Sequence, residues 1–372
     1  MRIGIDARPL RKQRAGIGTY VYNIVKYLNE TDKDNEYFLF SSKEVYVDFE
    51  LGNNWHVVTE DFPVGTLWLA MRGSSLIKKY DIDVFWGTQH VLPWGKPGKV
   101  RYVLTICDLA QFRIRNIGSR YNTIIQKAFV KNSCRRADRI LAISEATKYD
   151  IIDIFGIESS RIACTYLAGT DRPEQSAEGE LEQVKKKFNI SGKYFLYVST
   201  IEPRKNVETI ISGFDMFMSQ RSSDAEPFYM VLAGGLGWKY EGVLDLIGKS
   251  SYKDNIIMTG FISQKEKQCL FEGADAFVYP SLYEGFGIPL LEAMNYGLPI
   301  ITTNVSSLPE VGQDAVMYMK EPKDAQSMCE LMKKCSELSD SDRMTIACND
   351  KKQRDKFSWN KCACETLGFL TE

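Results

Sequence analysis

Short runs of β-branched and aromatic residues alternate with amphipathic segments along nearly the whole chain, and this alternation leaves few folds open. In the first half, residues 2–7, 37–41, 56–59, 84–87, 102–106, 140–143 and 162–166 read as strands. Between several of them lie segments of helical periodicity, such as 19–28 and 121–136. Strands alternating with helices build βαβ units, hence a parallel sheet covered by helices. The pattern breaks at "AGTDRPEQSAEGELEQ" (168–183), which is polar and acidic and holds Gly and Pro, the marks of an exposed linker. It restarts with strand-like runs at 194–198, 228–233, 255–258, 276–279 and 299–302, and with helical patterns in "NVETIISGFDMFMS", "YEGVLDLIGKS" and "IPLLEAMNYG". The tail reads as helical at 324–338 and 341–356, and again in "FSWNKCACETLGFL". At roughly 100–200 residues per domain, a chain of 372 residues gives two α/β domains, 1–170 and 171–355, with 356–372 as a terminal helix. In such folds ligands are expected at the carboxyl ends of the strands and between the domains.

Composition narrows the function. A net charge of −1 gives no global reason to bind nucleic acid. The nine cysteines are odd in number and scattered, with no Cys-x-x-Cys pair, which suits a reduced, cytoplasmic protein rather than a disulfide scaffold. Cys362 and Cys364 are close together, but the two histidines, His56 and His90, are far away in sequence, so a zinc site is not expected. The opening "MRIGIDARPL" enters a strand directly and has no apolar core of a secretory signal. No stretch approaches the roughly 18–20 apolar residues of a membrane span, so any membrane contact is expected to be peripheral.

Three loops carry the chemistry. In "RAGIGTYVYNIVKYL", Gly16 and Gly18 sit just before a helix. Glycines there let backbone approach a ligand, and a helix N-terminus offers free N–H donors to phosphate. The pair also reads as a plain turn, because the strand ends nine residues earlier and Val21 occupies the third glycine position of a dinucleotide fingerprint. In "YVSTIEPRKNVETII", Arg204 and Lys205 follow a strand end, and Asn206 suits a helix N-cap. Two cations there suit a diphosphate that gains charge as it leaves; the plain alternative is a solvated basic turn. In "ADAFVYPSLYEGFGIPLLEAMNYG", Glu284 precedes a Gly285–Phe286–Gly287 turn, and Glu292 lies one turn into the helix that follows. The two carboxylates can hold opposite ends of one extended ligand whose anionic middle rests on the helix N-terminus. "LAGGLGW" and "MTGFIS" end two further strands and offer backbone contacts to a ring or phosphate, or are ordinary βα turns.

These segments, in this order, resemble the retaining glycosyltransferases of family 4, which have the GT-B fold, and within them the bacterial mannosyltransferase-type group 1 enzymes. "EGFGIPLLEAMNYGLPIITTNVSSLPEVGQDA" is similar to that family's Glu-x7-Glu motif with its flanks, "IEPRKN" to its Arg-Lys loop and "AGIGTYVYNIVKYL" to its N-terminal glycine loop. The resemblance implies two Rossmann-like parallel-sheet domains facing a central cleft, with the last helix, around Trp359, crossing back to the N-terminal domain. It implies that the C-terminal domain holds a nucleotide-diphospho-sugar and the N-terminal domain an acceptor. Lys205 and Arg204 would then hold the diphosphate, Glu284 the sugar hydroxyls and Glu292 the ribose. Backbone N–H groups at Phe286, Gly287 and Ile288 would contact sugar and phosphate. Phe261 and Ile262 would lie near the base, and Gly16 and Gly18 would close on the diphosphate. The chain departs from the family at "TICDL": many relatives carry a histidine where Cys107 stands, ahead of Asp108. A small apolar filler suits Cys107 better than a thiolate, since no cationic partner is evident. His90, in "GTQHVLP", is a candidate for the acceptor or sugar side.

No protein nucleophile is obvious, so the expected chemistry is front-face substitution that needs no metal. Asp81-x-Asp83 and Asp340-x-Asp342 suit helix-end and cap positions better than a metal pair. The acceptor is expected to be a saccharide or a lipid-linked saccharide in polysaccharide or O-antigen-type assembly, and the donor GDP-mannose by family analogy. The alternatives are a UDP-sugar donor, or a nucleotide-sugar-binding subunit without catalysis. In residues 101–139, Lys and Arg far outnumber the acids Asp108 and Asp138, which suits either a solvated helix face or docking, through Arg113, Arg115 and Arg120, on an anionic membrane or a lipid-diphosphate-linked acceptor.

Overall fold

Both stretches of alternation fold into parallel sheets. The computed structural model describes residues 1–13, 16–114, 120–170, 174–222 and 224–372, with the backbone alone for Thr66 and residues 120–125. The chain divides into two compact units, Met1–Ala168 together with Phe357–Glu372, and Gly169–Lys356.

The first unit holds β1 (Arg2–Asp6), β2 (Glu36–Ser41), β3 (Trp55–Thr59), β4 (Val84–Gly87), β5 (Arg101–Ile106), β6 (Arg139–Ala142) and β7 (Ile162–Cys164). Their order across the sheet is β3-β2-β1-β4-β5-β6-β7, and every pair is parallel. The chain starts mid-sheet, winds outward to β3, returns to β4 beside β1, and winds the other way. Connections therefore leave β1 and β4 in opposite directions, which opens a crevice at their carboxyl ends. Helices cover both faces, so the strands are apolar throughout: all four residues of β4 are buried. One face packs Phe38, Phe40, Phe85 and Tyr102 around Trp68. Each such ring contributes roughly 1.5–3 kcal/mol by leaving water.

On the other face Tyr20, from the helix Gly16–Thr31, meets Trp86 edge-on at 6.0 Å. Thr105 Oγ1 accepts from Trp86 Nε1 at 2.8 Å and lies 3.3 Å from the Tyr20 hydroxyl, which satisfies the buried polar ends of both rings. The last helix, Trp359–Thr371, packs on Gly16–Thr31, as the resemblance implied, and buries Trp359, Cys362 and Leu370. Ser358 caps its start, and Arg101 Nη2 donates to the carbonyl of Leu370 at 3.0 Å near its end.

Two helices of this unit, Gly65–Lys79 and Glu145–Phe155, are not among the segments the sequence suggested. Gly65, Gly73, Ser74 and Ser75 blur the period of the first. A Cβ on Gly73 would stand 2.6 Å from Pro93 Cγ, so close packing explains that glycine. The second did carry legible signals, a Ser144 N-cap and Gly156 in the left-handed conformation after its end.

The second unit repeats the winding. Its strands are β8 (Lys193–Val198), β9 (Phe228–Ala233), β10 (Ile256–Gly260), β11 (Ala276–Tyr279), β12 (Ile300–Thr302) and β13 (Met317–Tyr318). They lie in the order β10-β9-β8-β11-β12-β13, all parallel. The crevice here falls between β8 and β11. β13, two residues long, is too short to leave a pattern in the sequence. The stretch expected as linker is partly helical, because the helix Glu180–Lys187 begins inside it.

Candidate functional site

The loops after β8 and β11 meet at the second unit's crevice. After β8 the chain makes a tight turn at Pro203–Lys205; after β11 it runs through 280–287 into the helix Ile288–Met294. The N–H of Leu282 donates to the Arg204 carbonyl at 2.8 Å, and Asn206 Nδ2 to the Pro280 carbonyl at 3.0 Å. Asn206 is at the N-cap position as expected, but its amide ties the two loops together instead of capping the helix. Its φ of +59° is left-handed, strain that this lacing holds in place.

The lacing delivers Arg204, Lys205 and Glu284 to one point. Lys205 Nζ lies 2.6 Å from Glu284 Oε1, and Arg204 Nη1 lies 2.9 Å from Oε2. Lys205 also donates to the Tyr279 hydroxyl at 2.6 Å, and that hydroxyl donates to Glu284 Oε1 at 2.9 Å. Glu284 is 8% exposed and Lys205 6%, so water screens this cluster little. Burial alone would raise the Glu284 carboxyl, but the charges of Lys205 and Arg204 outweigh it and hold the group at about 2. Burial draws the Lys205 ammonium down, and Glu284 opposes that. Burial, then the Glu284 charge, pushes the Tyr279 phenol far up, so it stays a neutral donor. The sequence reading gave the cations to a diphosphate and Glu284 to a sugar. The structure joins all three in one buried ion cluster.

Four contributors to this site were not named from the sequence. Tyr279 is one. Ser306 and Ser307 follow β12: Ser306 Oγ accepts from the Glu284 N–H at 2.8 Å, and Ser307 Oγ donates to the carbonyls of Glu284 and Phe286 at 2.9 and 2.8 Å. They fix the glycine turn from behind. Gly287 has φ +112°, which a side chain rarely adopts, and a Cβ there would also stand 3.0 Å from Leu308. Ile288 opens the helix, and N–H groups of a first turn have no partner inside their own helix. Lys267 is the fourth, in the helix Gln264–Glu272 that follows β10; its Nζ lies 2.7 Å from Oε1 of the buried Glu292. Each motif glutamate thus has its own cation.

Phe261, just past β10, is 91% exposed, while Ile262 is half-buried. The Phe261 ring lies over Gly235, where a Cβ would come within 2.5 Å of it. An aromatic face is therefore open beside the "LAGGLGW" turn.

In the first unit, Gly16 and Gly18 lie inside the first turn of the helix Gly16–Thr31 rather than ahead of it; residues 14 and 15 lie outside the described residues. His90, Cys107 and Asp108 come together at the carboxyl ends of β4 and β5. His90 Nε2 accepts from the Cys107 N–H at 2.9 Å, which places the ring proton on Nδ1. Burial lowers the His90 pKa, with Asp108 opposing, and burial raises the Cys107 thiol, which is therefore no thiolate. An imidazole from the loop after β4 thus stands beside the position where many relatives have their histidine.

The basic stretch 101–139 is partly committed elsewhere. Arg101 and Arg139 bind the last helix, Arg139 through Glu372 at 3.0 Å. Arg113 pairs with Asp150 at 2.5 Å and Asp153 at 2.8 Å. Arg115 and the side chain of Arg120 lie outside the described residues. Asp83 accepts from the Arg2 N–H, and Asp342 completes a capping box with Ser339, so these carboxylates have structural duties.

Two family models match this chain. Residues 14–167 match the one described as Glycosyltransferase Family 4, and residues 180–353 the one described as Glycosyl transferases group 1. The chain is a family 4 glycosyltransferase. Over 383 residues this glycosyltransferase is 26% identical to O-antigen chain mannosyltransferase B of Escherichia coli, covering 99% of this chain and 98% of that one. It is 31% identical over 236 residues to the serotype-specific mannosyltransferase WbdA of Escherichia coli, covering 61% of this chain but only 28% of that longer protein. A crystal structure of Anabaena Alr3699/HepE in complex with UDP and glucose superposes with a TM-score of 0.73 at 14% identity, covering 100% of this glycosyltransferase and 99% of that chain. That likeness carries the fold: GT-B, with two parallel-sheet units.

Proposed function

We propose that this glycosyltransferase moves a mannosyl group from GDP-mannose to a saccharide or lipid-linked saccharide, in assembly of an O-antigen-type polysaccharide. The observation that carries the reading is the Arg204–Glu284–Lys205 cluster at the β8/β11 crevice, where an open parallel sheet binds its ligand. The choice of mannose rests on the mannosyltransferase relatives.

In this reading the acceptor hydroxyl attacks the anomeric carbon as the bond from that carbon to the diphosphate oxygen breaks. The hydroxyl proton passes to the departing diphosphate, and the products are the glycoside and the nucleoside diphosphate. Arg204 and Lys205 stabilise the charge that grows on the leaving group, in a site already dry and fixed. Glu284, kept ionised by those cations, accepts hydrogen bonds from sugar hydroxyls and orients the ring. Glu292 accepts from the ribose, with Lys267 holding its other oxygen. Phe261 gives the base a face to lie on. His90, Cys107 and Asp108 belong to the acceptor or sugar side.

A seat at an anionic membrane surface is part of the same reading. Trp94 is 56% exposed and stacks on Phe129 at 6.1 Å, and Lys131 and Arg135 on the same helix as Phe129 are exposed. Among the described residues no helix is long and apolar enough to cross a membrane.

The test is a donor panel with purified protein: thermal shift and hydrolysis with GDP-mannose, UDP-glucose, UDP-galactose, UDP-N-acetylglucosamine and GDP-fucose. GDP-mannose is expected to give the largest shift and the fastest turnover. A preference for a UDP-sugar would favour the second reading, to which the UDP-bound neighbour lends weight.

A further inference from the structure

A second polar cavity lies wholly within the first unit, at the carboxyl ends of β1, β2 and β4. It measures about 450 Å³ and is lined by Arg8, Arg11, Ser42, Lys43, Gly65 and Gln89 among others, with three cations and no carboxylate on its wall. None of these residues has a part in the donor site.

Arg8, just past β1, is 6% exposed and held in a fork: its Nε and Nη2 each lie 2.7 Å from an oxygen of the buried Asp6. Among the described residues its Nη1 makes no hydrogen bond. Arg11 donates Nη1 to the Glu44 carbonyl, a neutral partner, and Lys43 Nζ forms no ion pair among the described residues. The fifteen-residue helix Gly65–Lys79 starts at the same wall, with no side-chain cap and no acid in its first turn. Its end presents unpaired N–H groups and about half a positive charge. Gly65 leaves room there: a Cβ would stand 2.9 Å from Ser42 Oγ and 3.4 Å from Arg8 Cδ.

Charge decides what fits. Asp6 neutralises Arg8, which leaves Arg11, Lys43 and the helix end uncompensated. That excess of about two charges suits a phosphate group, which carries roughly −1.5 to −2, better than a carboxylate. The remaining Nη1 of Arg8, the Arg11 guanidinium, a mobile ammonium and a helix end together suit an anion with several oxygens. We propose that this pocket is a phosphate site that takes the phosphate or diphosphate end of the acceptor. The acceptor half of this inference rests on the transferase reading above, in which the donor diphosphate lies on the other unit.

The probe is inorganic pyrophosphate, titrated calorimetrically into the full chain carrying Arg204→Gln, Lys205→Met and Glu284→Gln, which removes the donor-side charges together. Adding Arg11→Glu and Lys43→Glu leaves the Arg8–Asp6 fork intact, and an unchanged Tm shows that the chain still folds. Affinity for pyrophosphate is expected to fall roughly tenfold or more, about 1.4 kcal/mol per decade. Unchanged affinity would overturn the site. In the otherwise wild-type chain, the same two changes are expected to raise KM about tenfold for a diphosphate-bearing acceptor and not for the free saccharide. A wild-type enzyme indifferent to the diphosphate would overturn the acceptor assignment. So would loss of binding to phosphatidylglycerol vesicles on the two changes, since it would give the pocket to a lipid headgroup. If the wild type turns over no donor while pyrophosphate binding still depends on Arg11 and Lys43, the transferase reading fails and the phosphate site stands.

Discussion

At Glu284 one buried carboxylate meets two cations and a phenol, and its value depends on all of them. Lys205→Met leaves that carboxylate with Arg204 alone, and breaking a buried pair from one side costs about 3–5 kcal/mol. Glu284→Gln in the same chain is expected to restore part of the loss. Urea unfolding of both single variants and the double variant reads the coupling, and additive losses would mean that the pair is not coupled. The pH dependence has a definite sign. Glu284 is held at about 2, below the ordinary ~4.3 of a free glutamate, so its contribution is present above the unfolded value and fades as pH falls toward 2. The two motifs were legible because their residue types are unusual beside strand ends. Their direct ion pairing was not, since Lys205 and Glu284 are 79 positions apart and only the sheet order brings them together. Lys267, Ser306 and Ser307 had no signal of their own: a lysine on a polar helix or a serine in a loop is common, and its partner is known only from the fold.

The strands were the most legible elements. Buried on both faces, they read as unbroken apolar runs such as "VFWG" and "AFVY". Helices with glycines at packing contacts, such as Gly65–Lys79, were not, because the same glycines that permit close approach erase the period. Two predictions belong at this scale. The β10 turn presents Phe261 as a platform over Gly235, so Phe261→Ala is expected to weaken nucleotide binding by about 1–3 kcal/mol, the usual worth of stacking one base. Calorimetry with GDP measures this, and an unchanged Kd would remove Phe261 from the site. The helix Asp340–Arg354 buries Asp350, and among the described residues neither of its carboxylate oxygens has a hydrogen-bond partner. Burial pushes this group up to about 8, with Arg354 opposing. The folded state therefore holds a proton that the unfolded state releases near 4, and stability falls as pH rises from about 4 to 8. Asp350→Asn is expected to flatten that slope and raise Tm at pH 8, by roughly 2–4 °C per kcal/mol of relief. A variant with the wild-type slope would place the titration elsewhere.

For the whole molecule, the useful regularity is that both sheets wind in the same way from a central first strand, so each unit has one crevice at a known place. The ion cluster of the second unit, Arg204, Lys205 and Glu284, falls at its crevice, and the cationic pocket of the first falls beside β1 and β4. The sequence showed the alternation behind this but not the strand order, which depends on which buried faces pack together. Membrane docking also belongs at this scale. Trp94→Ser with Lys131→Glu and Arg135→Glu is expected to abolish co-sedimentation with anionic liposomes, and added salt to weaken it in the wild type. Binding indifferent to both would sink that part of the reading. The most direct test of the donor site is the rate of mannosyl transfer from GDP-mannose by the wild type, Lys205→Met and Glu284→Gln, each shown to be folded by its melting transition. Both changes are expected to lower kcat/KM by roughly 100- to 1,000-fold, the scale of losing one preorganised charge partner. Folded variants that transfer mannose at the wild-type rate would contradict the assignment of catalysis to the Arg204–Glu284–Lys205 cluster.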